Sequence, residues 1–281
     1  MKIIKSASSL SAWRKAVSKS VGFVPTMGAL HEGHFSLIKA SKKICNKTVV
    51  SIFINPTQFA PNEDLNSYPK TLDLDMKGLQ DLSVDVLFLP TEEEMYKKVG
   101  DIEVRPSGLF NKLEGVSRPH FFYGVSTIVS KLFNVVSPSH AFFGEKDAQQ
   151  LRVVKQLILN EGYNIKLVPC PTIRNKAGLA LSSRNQYLSK EERNYASNIY
   201  QGLLLIKNAL KLGEKRPAVL KELFKAHIAN FSSFTLDYIS LACSESLNEL
   251  EEITSKELLV SCAIYYNEVR LIDNFTYRPS T

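Results

Sequence analysis

Two periodicities alternate along the first 170 residues of the chain. Short runs rich in β-branched and aromatic residues predict strands at 21–24, 48–54, 84–89, 140–143 and 164–168. Between them, apolar positions recur at helical spacing over about 34–44, 71–82, 125–136 and 147–161. Strands alternating with helices predict βαβ units around a parallel sheet, an α/β class. Ligands of such sheets bind beyond the carboxyl ends of the strands, so the loops after residues 24, 54 and 143 are where chemistry is expected.

The last third changes pattern. Ser189-Lys190-Glu191-Glu192 has the form of a capping box and predicts one long helix running to about Leu212, with a second starting near Pro217. Strand-like runs follow at 236–242, 258–266 and 268–272, with no helix between them long enough for a crossover. The expectation is a small α+β unit with an antiparallel sheet. The change of pattern divides the chain into a domain of residues 1–172 and a smaller one of 173–281.

Length and composition narrow the class. The 281 residues are 44% hydrophobic, enough for a sizeable core. The four cysteines, Cys45, Cys170, Cys243 and Cys262, form no CxxC pair, which favours reduced thiols in a cytoplasmic protein. No apolar run approaches the roughly 20 residues that span a bilayer, and Trp13-Arg14-Lys15 interrupts the N-terminus too early for a signal peptide. A formal net charge of +7 suits attraction of small anions. The lysine cluster between Lys39 and Lys47 reads as a solvated helix face, and no arginine-rich tract with interleaved aromatics points to nucleic acid.

Three loops carry candidate chemistry. In PTMGALHEGH, residues 25–34, His31 and His34 fall where a strand turns into a helix, an end that carries partial positive charge and unpaired N–H groups. Gly28 and Gly33 permit close approach of a phosphate, and both imidazoles can donate to its oxygens. A polar loop, or two ligands of a metal site, are the competing readings of the same spacing. In FFGEKDAQQ, Lys146 is a mobile point charge suited to phosphates, while Asp147 suits a helix cap. In LSSRN, Arg184 offers either a fork for phosphate or a loop salt bridge. Gln58, at the end of the second strand, can both donate and accept, as recognition of a hydroxy acid requires.

Together PTMGALHEGH, FINPTQF, EDLNSYPKTL, VSTIVSKLFNVV, FFGEKDAQQL, LSSRNQYLS and the late RLIDN resemble, in order and over nearly the whole chain, the pantothenate synthetase family of HxGH nucleotidyltransferases. The resemblance implies a Rossmann-like N-terminal domain, a C-terminal domain that covers the site, and a homodimer. It implies ligation of pantoate to β-alanine through a pantoyl adenylate, using ATP and Mg²⁺. The ATP site then falls on Met27, Gly28, Ala29, Leu30, His31, Glu32, Gly33 and His34. It continues on Gly144, Glu145, Lys146 and Asp147, on Ile173, and on Leu181, Ser182, Ser183 and Arg184. His34 is implied as proton donor, with His31 and Lys146 beside it in catalysis. Pantoate falls on Gln58 and Gln150, and β-alanine on Gln58. The metal ligands do not transfer; Asp73 and Asp75 lie in the relevant region and suit a helix cap equally.

The chain departs from the family pattern twice. Where RPxHFxGV is usual, it has Arg118-Pro119-His120-Phe121-Phe122-Tyr123-Gly124-Val125, so Phe121 replaces a histidine and His120 stands one position early. Ala177 stands where an acidic residue is common before Gly-Leu-Ala. Two other readings compete with the ligase. One is a nucleotidyltransferase acting on a phosphate acceptor, which has no use for Gln58 and Gln150. The other is a basic RNA-binding protein, which does not need His31, His34, Lys146 and Arg184 together.

Overall fold

The computed structural model describes every residue except 62, 100, 101, 103, 105, 106, 255 and 279–281. Six strands, β1 (Lys2–Ile4), β2 (Val21–Thr26), β3 (Lys47–Ile52), β4 (Val86–Phe88), β5 (His140–Gly144) and β6 (Lys166–Cys170), form one sheet in the order β1-β4-β3-β2-β5-β6. Every pairing in it is parallel. From β2 the chain moves outward through β3 and β4, then begins again on the other side at β5. The strand order therefore reverses between β2 and β5, which pair at Gly22↔His140 and Phe23↔Ala141. A crevice opens at such a reversal, beyond the carboxyl ends of the two strands.

Helices cover both faces, so the strands read as continuous apolar runs instead of alternating ones. Adjacent residues of one strand consequently enter different cores. Phe23, Val49, Phe88 and Phe143 pack with α1 (Ala7–Ala16), α5 (Phe121–Val136) and α6 (Ala148–Asn160). Val24, Val50, Leu87 and Phe142 pack with α2 (Glu32–Ile44) and α3 (Leu72–Asp81). Of the lysine cluster, Lys39, Lys42 and Lys43 are exposed on α2, where Lys39 meets Glu32 at 3.5 Å and Lys42 donates to the Ser83 carbonyl at 2.8 Å, while Lys47 opens β3 and pairs with Asp85 at 2.6 Å. Among the described residues no helix is long and apolar enough to cross a membrane.

Beyond a short helix α4 (Glu114–Ser117), the C-terminal part contains α7 (Lys190–Ala196), α8 (Asn198–Lys211) and α9 (Pro217–Ile228). These precede an antiparallel sheet of β7 (Phe234–Cys243), β8 (Leu258–Tyr266) and β9 (Val269–Tyr277). Its core is separate, built from α8, α9 and the inner face of the sheet around Leu203, Phe224, Val260 and Ile264. We propose residues 172 and 173 as the domain boundary, since the parallel sheet ends before them and the second core begins after them.

Three expectations need correction. The single helix to Leu212 is two helices, because the Ser197 hydroxyl donates to the Asn194 carbonyl and competes with the helical ladder there. Strand β1 and helix α1 were not foreseen: three strand residues show no measurable alternation, and α1 buries only Leu10 fully. The last strand runs on to Tyr277, past polar residues that pair with β8.

Candidate active site

A cavity of about 990 Å³ opens at the β2/β5 reversal and is closed on its far side by β8 and β9. Strand β2 delivers Met27 to its wall, and α2 begins there with His31 as its N-cap. The two imidazoles cap the helix reciprocally. His31 Nδ1 accepts the Gly33 N–H at 3.1 Å, and His34 Nδ1 accepts the His31 N–H at 3.3 Å. The rings lie 4.2 Å apart, centroid to centroid. Gly33 is required by this packing, since a Cβ there would stand 2.7 Å from His31 Cε1.

The cap settles the tautomers. With Nδ1 accepting on both rings, a neutral imidazole carries its proton on Nε2. Both rings are neutral. Burial and then the Lys146 ammonium push His31 down to about 4, against the opposing pull of Asp147. Burial, His31 and Lys146 hold His34 well below the ordinary histidine value. The site thus presents two uncharged Nε2–H donors beside one ammonium.

A pH consequence follows. Between about 4 and 6.5 the unfolded chain binds protons at these positions that the folded chain does not. Acidification through that window therefore costs stability, and above it the contribution is constant. Imidazole ¹⁵N shifts of the ligand-free protein should report the neutral Nε2–H form for both residues at pH 5.5. An ordinary midpoint near 6.5 for either would refute the assignment.

The loop before α2 is pinned from below. Gly28 and Ala29 both have positive φ, 86° and 51°, which turns the Ala29 and Leu30 N–H groups onto the Asp75 carboxylate at 2.9 and 2.8 Å. Asp75 also accepts from the Thr71 hydroxyl at 3.0 Å. Asp75 therefore holds the loop, and it does so from the first turn of α3, where a capping role was one expectation.

Strand β5 delivers Gly144, and a single helical turn, Glu145–Asp147, places Lys146 on the wall. Gln150 in α6 and Gln58 after β3 line the same space, and the Gln58 side-chain Oε1 accepts from Asn55 Nδ2 at 3.0 Å. Ile173, Leu181, Ser182 and Ser183 also line it, and the Ser183 hydroxyl donates to the Ala29 carbonyl at 3.0 Å. Five of the expected nucleotide-contacting residues stand off the wall. Gly28, Ala29 and Leu30 face Asp75, Glu32 is exposed beside Lys39, and Glu145 is exposed.

Arg184 lines the cavity but is paired, its fork meeting Asp64 at 2.8 and 3.0 Å. Tyr187 donates to the same carboxylate. The loop salt bridge is thus the state this structure shows. His120 is not among the lining residues; Phe121 is, with the Arg118 guanidinium 4.0 Å above its ring. The one-residue shift does not bring the imidazole to the cavity. At Ala177 the turn is closed by Asn175, whose side chain accepts the N–H groups of Ala177 and Leu179.

The Pantoate-beta-alanine ligase family model matches residues 2–276. The chain is 45% identical over 256 residues to the pantothenate synthetase of Pseudothermotoga lettingae, covering 91% of each. It is 46% identical over 265 residues to that of Clostridioides difficile, covering 94% of this chain and 93% of the relative. The chain belongs to the pantoate–β-alanine ligase family. Among solved structures, the Thermus thermophilus ligase superposes with a TM-score of 0.91 at 38% identity, covering 98% of this chain and 99% of that one. The Francisella tularensis ligase, solved with β-γ ATP and β-alanine, superposes at 0.77 with 35% identity over the full length of both. As a member, the chain is an enzyme that ligates pantoate to β-alanine with ATP.

Several cavity residues escaped sequence reasoning. Arg118 grips Glu63 at 2.6 and 2.5 Å and donates to the Gln58 carbonyl at 3.0 Å. Across the mouth, Arg270 of β9 pairs with Glu114 and Asp237 at 2.5 and 2.6 Å, and the Tyr238 hydroxyl donates to Glu114. The stretches RPHFF and RLIDN contain Arg118 and Arg270, yet nothing local named their partners: Glu63 lies 55 residues from Arg118, and Glu114 and Asp237 lie 156 and 33 residues from Arg270.

Proposed function

We propose that ligation runs through a pantoyl adenylate formed at the β2/β5 reversal. The carrying observation is the pair of neutral Nε2–H donors beside Lys146 at the start of α2. A pantoate carboxylate oxygen attacks the α-phosphorus, and the bond to the β-phosphate oxygen breaks as pyrophosphate leaves. Negative charge grows on the departing group, where His34, His31 and Lys146 supply fixed donors. The amine of β-alanine then attacks the acyl carbon, the bond to AMP breaks, and the nitrogen loses a proton.

In this reading Gln58 and Gln150 hold pantoate, and Gln58 borders β-alanine. ATP occupies the wall formed by Met27, Gly33, Gly144, Asp147, Ile173 and the 181–184 loop. Arg184 reaches phosphate by exchanging Asp64 for it. Each partner of that pair keeps about a quarter of its side chain in solvent. That exposure leaves the fork within reach of ligand, and a multiply charged triphosphate offers it more negative charge than one carboxylate does.

Mg²⁺ belongs to the same reading as the counter-ion of ATP. Among the described residues no group of three or more His, Cys, Asp or Glu is arranged to hold a metal, and Asp75 is taken by two N–H groups and a hydroxyl. A cation brought in with ATP would not need such a group, because phosphate oxygens and water could supply its ligands. It would supply positive charge against the phosphates. A homodimer in the cytoplasm completes the proposal.

Exchange of labelled pyrophosphate into ATP tests the route. It should depend on pantoate and proceed without β-alanine. Exchange that needs β-alanine would mean a concerted reaction and end the two-step assignment.

A further inference from the structure

The C-terminal sheet reaches the Lys146 turn through one side chain. Asn274 of β9 is buried, and its Nδ2 donates to the carbonyls of Glu145 at 3.1 Å and Lys146 at 2.7 Å. Those carbonyls belong to the single turn Glu145–Asp147 that leads into α6, whose N-cap is Asp147. Holding both carbonyl groups orients the peptide on each side of the Lys146 Cα.

Asn274 is itself fixed. Its N–H donates to Asp273 Oδ1 at 2.7 Å, and Asp273 takes the Arg174 fork at 2.6 and 2.7 Å. The Arg174 guanidinium lies 3.6 Å over the Tyr200 ring of α8. A continuous set of polar contacts thus runs from the second core to the backbone of Lys146. The Asp147 carboxylate sits only 3.4 Å from the Lys146 ammonium and competes for it. Aim therefore depends on where the Lys146 backbone is held.

We infer that Asn274 is a positioning residue for adenylate formation, aiming the Lys146 ammonium by clamping the 145–146 carbonyls. This rests on the phosphate role given to Lys146 above. The amide alone fits the task, because two N–H bonds from one nitrogen meet two acceptors. A carboxylate in its place would face both carbonyls with no donor.

The test is a double-mutant cycle on single-turnover adenylate formation, using Asn274→Ala, Lys146→Ala and the double variant. Asn274→Ala should lower the rate by about 10-fold, the scale of one or two lost hydrogen bonds. In the Lys146→Ala background it should have almost no further effect. With preformed pantoyl adenylate supplied, pantothenate formation from β-alanine should be unchanged by Asn274→Ala. Asn274→Asp should resemble the alanine variant. If Asn274→Ala depletes the folded chain, Asn274→Ser keeps one donor and runs through the same cycle with a smaller loss.

Two results overturn the inference: a loss that multiplies in full with that of Lys146→Ala, or equal damage to both half-reactions. Either leaves the phosphate role of Lys146 standing. A Lys146→Ala variant that keeps its single-turnover rate removes that role instead, and this inference with it.

Discussion

Replacing His34 with alanine should lower the single-turnover rate of adenylate formation by about 10²- to 10³-fold, the usual effect of removing one preorganised donor. The donor is the Nε2–H of a neutral ring, held in place because its Nδ1 caps the His31 N–H. An interaction strengthened mainly in the transition state lowers kcat far more than it raises KM. The same substitution removes half of the reciprocal cap, so a stability loss of about 0.5–2 kcal/mol is expected beside the kinetic one. His31→Ala should behave alike. The double variant should lose less than the product, because both rings serve one phosphate region. Pantoyl adenylate is measured in one turnover, with the melting temperature as control. A His34 variant with a near-normal rate would remove the imidazole from the mechanism.

Asp273→Ala should cost the folded chain about 3–5 kcal/mol, the scale of removing one partner from a buried ion pair. Asp273 is 4% exposed and takes both arms of Arg174. Its loss leaves the guanidinium with the Gly178 carbonyl and the Tyr200 face alone. Glu222→Ala is the contrast, since its pairing with Lys225 lies in solvent on α9 and should be worth about 0.5 kcal/mol or less. Urea unfolding at constant slope compares the two. A loss below about 1 kcal/mol for Asp273→Ala would show that the pair does not hold the Arg174 loop to β9.

The parts of the site that could be read in advance share one property: each sits within a few residues of the turn that presents it. PTMGALHEGH contains its own strand end, glycines and helix start, so His31 and His34 could be placed together before any tertiary contact was known. FFGEKDAQQ does the same for Lys146 and Gln150. Arg184 was read as either a phosphate fork or a loop ion pair, and Asp64, 120 residues away, was the missing partner. His120 shows the limit from the other side. It stands one position early, and because α5 starts at Phe121, Phe121 faces the cavity and His120 stays outside it.

The sequence by itself determined the α/β class, the loops beyond the strands' carboxyl ends, the antiparallel C-terminal sheet and the residues at the head of α2 and α6. These follow from periodicity and from turn chemistry, which act over a few residues. Tertiary structure decided the protonation of the imidazoles, which depends on burial and on Lys146 arriving from another strand. It also decided that Asp75 holds a loop, that Arg184 rests on Asp64, and that Asn274 grips the Lys146 turn. The physical reason is range. A hydrogen bond or charge acts over a few ångströms in space, and only the folded chain says which distant residues come within them.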